Sequence, residues 1–341
     1  MTGSFARAIG AAVLGGVLLA AASARAAEPV KFVLDWKYQG NHAIWGHALD
    51  RGYFAREGLA VTMDQGAGSG DAINKVAGKA YDVGFADINL LVKFNADNPN
   101  NRVIAFFVIF ERSMNAIVSL KKAGITAPKD LAGKLVGGAP GDSARQMFPI
   151  FARITGLDPA SVRWQTINPT LRAPLLIRGE VDAITGFVSG TVFDLIGAGA
   201  KRDDIALLQY SSFGLDLYGN ALVASADFAA QHPDVLRKFV RATIAGMRDA
   251  IADPVAGVAS LKKREPLVDQ ALEVERFKLV LDASMLTPAV KAKGFGTVDP
   301  ARLARGVAYV AEAFGVANPP KVADLYTDAF LPPAPQRQVA P

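Results

Sequence analysis

From residue 30 to about residue 225, short apolar runs alternate with amphipathic stretches of helical period, and that rhythm leaves few folds open. Residues 30–35, 59–64, 83–85 and 103–110 read as strands, with helices over 43–57, from the glycine-rich turn onward, and over 88–94. A second series follows, with strands over 116–120, 134–138, 162–165, 181–187, 205–209 and 219–224 and helices over 144–155 and 171–178. Asp142 and Ser143 stand where the N-cap of the 144–155 helix belongs. Strands alternating with helices argue for an α/β fold with helices on both faces of each sheet. After residue 227 helical periodicity takes over, across 228–251, 268–282 and 299–314, broken at Pro254, Pro266, Pro288 and Pro300. The proline-rich residues 332–341 read as a flexible tail.

The first 26 residues have a different character. Arg7 precedes an apolar stretch over residues 8–22, and Ala24-Arg25-Ala26 forms a small-x-small cleavage site. The apolar stretch falls short of the ~20 residues that span a bilayer, so an export signal cleaved near Ala26 is expected rather than an anchor. The 341-residue chain contains no cysteine. That excludes disulfides, thiolate metal sites, cysteine nucleophiles and a lipid anchor on the mature N-terminus. The net charge of +5 falls to +3 once Arg7 and Arg25 leave, which gives no reason to expect a nucleic-acid partner. The densest basic run, Lys262-Lys263-Arg264, is followed at once by Glu265 and reads as a solvated helix face. The expected compartment is the periplasm of a double-membrane bacterium.

Signatures of chemistry are sparse. His42 and His47 are spaced i,i+5, which sets them on different helix faces with no glutamate between, so no metal site is expected. Gly186-Phe187-Val188-Ser189-Gly190 carries its serine one place late for a nucleophile elbow. Gly66-Ala67-Gly68-Ser69-Gly70 follows a strand and opens a helix, but Asp71 occupies the third glycine of a dinucleotide fingerprint and would face the pyrophosphate. What remains is a helix start offering free N–H groups to a polar ligand, or a turn that merely needs glycine. The densest recognition segment is residues 34–42, where Trp36, Tyr38, Asn41 and His42 cluster at the carboxyl end of the first strand. Ligands of open α/β sheets bind at that end, and such a loop can stack a flat solute and hydrogen-bond its edge.

These residues resemble a known family. Leu34-Asp35-Trp36, His42 and Gly52-Tyr53-Phe54-Ala55-Arg56-Glu57-Gly58-Leu59 are similar to the opening of the NMT1/THI5-like solute-binding proteins, which are allied to the nitrate-, sulfonate- and taurine-binding components of ABC importers. Asp130-Leu131-Ala132-Gly133-Lys134 and Gly179-Glu180-Val181-Asp182-Ala183 match segments of that family's second lobe. The resemblance implies a two-lobed periplasmic binding protein of type II fold with a ligand cleft and two interlobe crossovers, near Asn115 and Gly219. Lobe 1 would comprise residues 27–115 and 225–331, and lobe 2 residues 116–224. The family's function is capture by hinge closure, without chemistry, a catalytic residue or a cofactor. Its partners are a small-molecule solute and an ABC permease with its ATPase, and a monomer is expected.

Carried onto this chain, the ligand-binding set is Trp36, Tyr38, Asn41, His42, Ser69, Gly70, Asp87, Asp142, Ser143, Phe187, Ser189, Tyr218 and Asn220. Pyrimidine binders of the group carry an aromatic-Asn-x-Glu segment where this chain has residues 186–191 with no carboxylate. Fungal members that synthesise the pyrimidine use a cysteine-rich iron motif and a histidine after the glycine turn; this chain has neither. The expected solute is therefore small and planar, aromatic or heterocyclic, with or without an anionic group. A taurine-type sulfonate and a thiamine-precursor pyrimidine are the alternatives, ahead of a pyrimidine-synthesis enzyme or a sensor module.

Overall fold

The computed structural model describes residues 26–339. The export signal expected over residues 1–26 therefore lies outside the described residues, apart from its last alanine. Ten strands build two five-stranded sheets. β1 (Glu28–Val33), β2 (Leu59–Asp64), β3 (Val83–Asp87), β4 (Val103–Val108) and, late in the chain, β10 (Asn220–Ser225) form the first, in the order β2-β1-β3-β10-β4. β5 (Asn115–Leu120), β6 (Leu135–Gly138), β7 (Arg163–Thr166), β8 (Ala183–Phe187) and β9 (Ile205–Gln209) form the second, in the order β7-β6-β8-β5-β9.

The two sheets share one topological plan. In each, the strand next to one edge is antiparallel to both neighbours: β10 between β3 and β4, β5 between β8 and β9. Those are the two strands that arrive by crossing between lobes, through residues 109–114 and 210–219. β3, β5 and β10 are buried along their whole length, which is why they read as unbroken apolar runs rather than alternating ones.

The crossovers hold each other. Gly219 N–H donates to Phe110 O (2.8 Å) and Ser113 N–H to Leu217 O (3.0 Å). Arg302, on the helix Pro300–Phe314, clasps both: it pairs with Glu111, reaches Asp216 (2.8 Å), donates to Leu217 O (3.3 Å) and lies 4.1 Å from the Tyr218 ring centre.

The helices after β10 return to the first sheet, as the change of composition after residue 227 implies. The helices Pro233–Ala252 and Pro254–Lys262 pack on Ala43–Asp50. Phe239 from the first of these meets Phe32 of β1 edge-on at 5.2 Å, and Phe32 and Phe85 flank Trp45 at 5.2 and 4.6 Å. Such edge-to-face pairs each add about 0.5–1.5 kcal/mol beyond simple burial.

Three helices expected as single pieces are divided. The 43–57 helix breaks at Gly52, whose φ of 69° no helix continues through. The 144–155 segment breaks at Met147, just before Pro149, which enters the second piece, Phe148–Thr155. The 228–251 segment divides at His232, ahead of Pro233 at the first turn of its helix. In each proline case the missing N–H is tolerated only at a helix start. Residues 332–339 are not a frayed tail: Arg337 exchanges hydrogen bonds with Phe295 (2.8 and 2.9 Å), and Arg248 donates to Gln338 O (2.7 Å).

Candidate functional site

A narrow cleft lies between the two sheets, at the carboxyl ends of their strands. The first lobe supplies Asp35, Trp36, Gln39 and Asn41 from the loop after β1, and Gly68 and Ser69 from the glycine turn. The second supplies Asp142, Ser143, Arg172, Phe187, Ser189 and Gly190.

The guanidinium of Arg172 lies against the Trp36 ring, 4.4 Å from its centre, so the opposing lobes touch through a cation–π contact inside the cleft. Arg172 is buried. Its Nη1 donates to Asp142 Oδ2 (3.2 Å) and Thr185 O (2.6 Å). Asp142 caps the Ser143–Gln146 turn through Ala144 N–H (3.1 Å) and accepts from Thr185 Oγ1 (2.6 Å). On the facing wall, Asp35 accepts from His42 Nε2 (2.8 Å) and Asn220 Nδ2 (2.8 Å). His42 Nδ1 accepts the Gln39 N–H (3.3 Å), which places the imidazole proton on Nε2.

Two cleft side chains carry buried polar atoms with no partner in the protein: the Arg172 Nε donor and the Asn41 Oδ1 acceptor. An unpaired buried polar group costs about 1–3 kcal/mol, which a ligand supplying the complementary groups would offset. The three ionisable side chains lining the cleft, Asp35, Asp142 and Arg172, leave one negative charge in excess.

Asp87 bridges the lobes just behind the cleft. Its Oδ1 accepts from the backbone and side-chain amides of Asn89 (2.9 and 2.6 Å). Its Oδ2 accepts from Asn115 Nδ2 (3.1 Å) and the Ser143 hydroxyl of the second lobe. Burial pushes its carboxyl pKa up, and the hydrogen bonds offset this only in part. A carboxyl whose folded pKa is raised contributes stability that is fully present below the unfolded value and lost as pH rises through the folded one. The stability difference between the wild type and D87N should therefore move against the wild type as pH climbs out of the ordinary carboxylate range, then level off. Urea melts at a series of pH values read this; a flat difference would contradict the raised pKa.

Of the thirteen residues expected in the site, seven line the cleft: Trp36, Asn41, Ser69, Asp142, Ser143, Phe187 and Ser189. Six do not. Tyr38 turns away from the cleft and packs against the first-lobe core, its hydroxyl donating to Met63 O (2.7 Å) on the neighbouring strand β2. Gly70 makes an interlobe bond instead, its N–H to Gly141 O (3.1 Å). His42 and Asn220 stand behind Asp35 and orient it. Asp87 lies beneath Ser143. Tyr218 belongs to the crossover, its hydroxyl accepting the Asp299 N–H (2.8 Å).

The additional wall residues are Asp35, Gln39, Gly68, Arg172 and Gly190. Arg172 had a legible signal: it opens the helix Arg172–Arg178, where a cation runs against the helix dipole and so needs another partner. Among the described residues, no cluster of three or more potential ligands could hold a metal ion, and no helix is long and apolar enough to cross a membrane.

Two like-built sheets joined by two crossovers, with a cleft at their strand ends, form the periplasmic binding protein fold. The alkanesulfonate-binding protein SsuA of Xanthomonas axonopodis pv. citri, solved with MOPS, matches 88% of this chain and 98% of its own with a TM-score of 0.68 at 15% identity, a likeness of fold. The NMT1/THI5-like family model matches residues 39–256, and the chain belongs to that family. A 4-amino-5-hydroxymethyl-2-methylpyrimidine phosphate synthase of Schizosaccharomyces pombe is 26% identical over 235 residues, 66% of each chain. The riboflavin-binding protein RibY of Chloroflexus aurantiacus is 26% identical over 210 residues, 61% of this chain and 58% of its own. This chain thus spans 58–66% of the length of those two relatives.

Proposed function

We propose that this chain is the exported solute-binding component of an ABC importer, and that it closes on a small planar solute and presents it to a membrane permease. The reading rests above all on the cleft wall formed by Trp36 opposite Arg172, with an unpartnered donor and acceptor beside it. A flat ring that displaces or extends the guanidinium stack would cover the indole face and pair with Arg172 Nε and Asn41 Oδ1. One carboxylate in excess disfavours a simple anion, so a neutral or cationic nitrogen heterocycle bearing N–H donors fits better than a sulfonate. The relative named for riboflavin binding supports a flat heterocycle. The relative named as a synthase supports a second reading, an enzyme acting on the same kind of ring. The lack of any cysteine, and of a histidine over residues 72–81, argues against that chemistry here.

A thermal-shift panel on protein starting at residue 27, refolded to strip any carried solute, tests the reading with flavins, pyrimidines, aromatic acids, alkyl sulfonates, nitrate and taurine. At a hundredfold excess over Kd a bound solute should stabilise by about 2.7 kcal/mol, a shift of several degrees. Shifts confined to planar heterocycles are expected, and W36A should weaken their binding at least tenfold while unfolding remains cooperative. A panel answered by sulfonates alone would overturn the planar-solute reading.

A further inference from the structure

Arg276 lies outside the wall of the cleft, yet it is among the most deeply buried charges in the protein, 2% exposed. It sits on the helix Gln270–Val280, which packs against the first-lobe turn Gly40–His42 on one side and the second-lobe helix Val188–Gly197 on the other. All five N–H groups of its guanidinium are used. Nε and one N–H of Nη2 hold Glu273 on the same helix (2.7 and 3.0 Å). The other three cross to the second lobe: Nη1 donates to Ser189 O (2.7 Å) and Gly190 O (2.8 Å), and Nη2 to Asp194 Oδ1 (3.2 Å).

Glu273 completes the link, because its Oε2 accepts the N–H of Gly40 (2.5 Å), between the wall residues Gln39 and Asn41. The fit is close: a Cβ on Gly40 would lie 2.1 Å from Glu273 O. Ser189 and Gly190, the carbonyls Arg276 holds, line the opposite wall. One buried ion pair therefore joins both walls of the cleft from behind. Its two contacts to Glu273 lie within one helix and would survive opening of the lobes, whereas its three contacts to the second lobe exist only while the lobes are together.

We propose that Arg276 is a positioning residue that latches lobe closure, setting the ratio of closed to open forms without touching the solute. This rests on the reading of the cleft as one that opens and closes around a solute. Charge-assisted hydrogen bonds are the strong ones, and on opening the guanidinium would exchange its three crossing contacts for water, so those contacts favour the closed form.

Because the chain has no cysteine, two introduced at the exposed rim residues Asn74 and Thr170, one on each lobe, can be spin-labelled uniquely. Electron–electron double resonance on refolded protein with no added solute should resolve a short-distance closed population beside the open one in the parent. R276Q should raise the open-to-closed ratio at least threefold, with R276K in between, because an ammonium keeps the charge but not the five-donor fork. If R276Q fails to unfold cooperatively, D194N, which takes the charge from one of the three crossing contacts, should move the distribution the same way. Distance distributions in the folded variants that superimpose on the parent's overturn the proposal. The readout needs no solute, so a thermal-shift panel in which nothing binds would count against the solute-capture reading and leave this result standing.

Discussion

Replacing Gly68 with alanine is expected to hold the cleft open and weaken solute binding by at least a hundredfold, about 2.7 kcal/mol. Gly68 has φ 127° and ψ 159°, a conformation open almost only to glycine. A Cβ there would lie 2.2 Å from Gly141 O and 2.4 Å from Gly141 C, both backbone atoms of the opposite lobe. Backbone cannot swing aside as a side-chain end can, so the clash falls on closure. In an open protein the methyl group would meet no second-lobe atom, and the remaining cost is conformational strain of about 1–3 kcal/mol. The substitution should thus leave a folded protein that binds poorly. G124A supplies the control: Gly124 also has a positive φ, 68°, but nothing lies within 4 Å of its Cβ position. Titration calorimetry with the tightest solute from the panel should find G124A near wild-type affinity and G68A crippled. Wild-type affinity in G68A would mean that the Gly68–Gly141 approach is not required for binding.

Arg172→Met should be the most destabilising single change in the cleft, costing about 3–5 kcal/mol, because it leaves Asp142 buried without its cation. Thr185 Oγ1–H and Ala144 N–H would still solvate that carboxylate, but neither carries charge. The melting temperature should fall by roughly 5–8 °C. The double variant R172M/D142N should recover most of the loss, since removing both charges removes the unpaired one. Urea melts of the two single variants and the double close a mutant cycle. A loss below about 1 kcal/mol for R172M alone would show that the pair is more solvated than its burial implies.

Much of the fold was readable along the chain. β2 and β9 fall on their expected residues, 59–64 and 205–209, and Asp142 caps its helix as a carboxylate before an apolar period should. The glycine turn opens the helix Ser69–Ala77, and the antiparallel β10 follows from a strand returning after a crossover. What failed locally failed for local reasons that the sequence also held: Gly52, Pro149 and Pro233 each divide a helix that hydrophobic period alone would continue. The docked C-terminal residues are a different case. Nothing in Pro332-Pro333-Ala334-Pro335 announces that Arg337, seven residues past the buried Phe330, will find the carbonyl of Phe295.

The site divides the same way. Trp36, Asn41 and Ser69 follow strand ends, and a strand end is a local property, so they could be placed. Tyr38 lies two residues from Trp36 yet packs against the first-lobe core and not the cleft, and irregular backbone carries no periodicity from which that direction could be read.

By itself, the sequence determined the alternation of strands and helices, the two like-built series and the absence of thiol chemistry. Each of these is set by spacing within one element or by composition, since apolar period records which side of a segment leaves water. Only the tertiary structure decided the pairings across the cleft: Arg172 on Trp36, Gly68 against Gly141, Arg276 on Ser189 and Gly190. Periodicity states that a side chain is buried and is silent on its partner. Those partners lie far apart in sequence, and they meet only because two crossovers bring the carboxyl ends of two separate sets of strands together across one cleft.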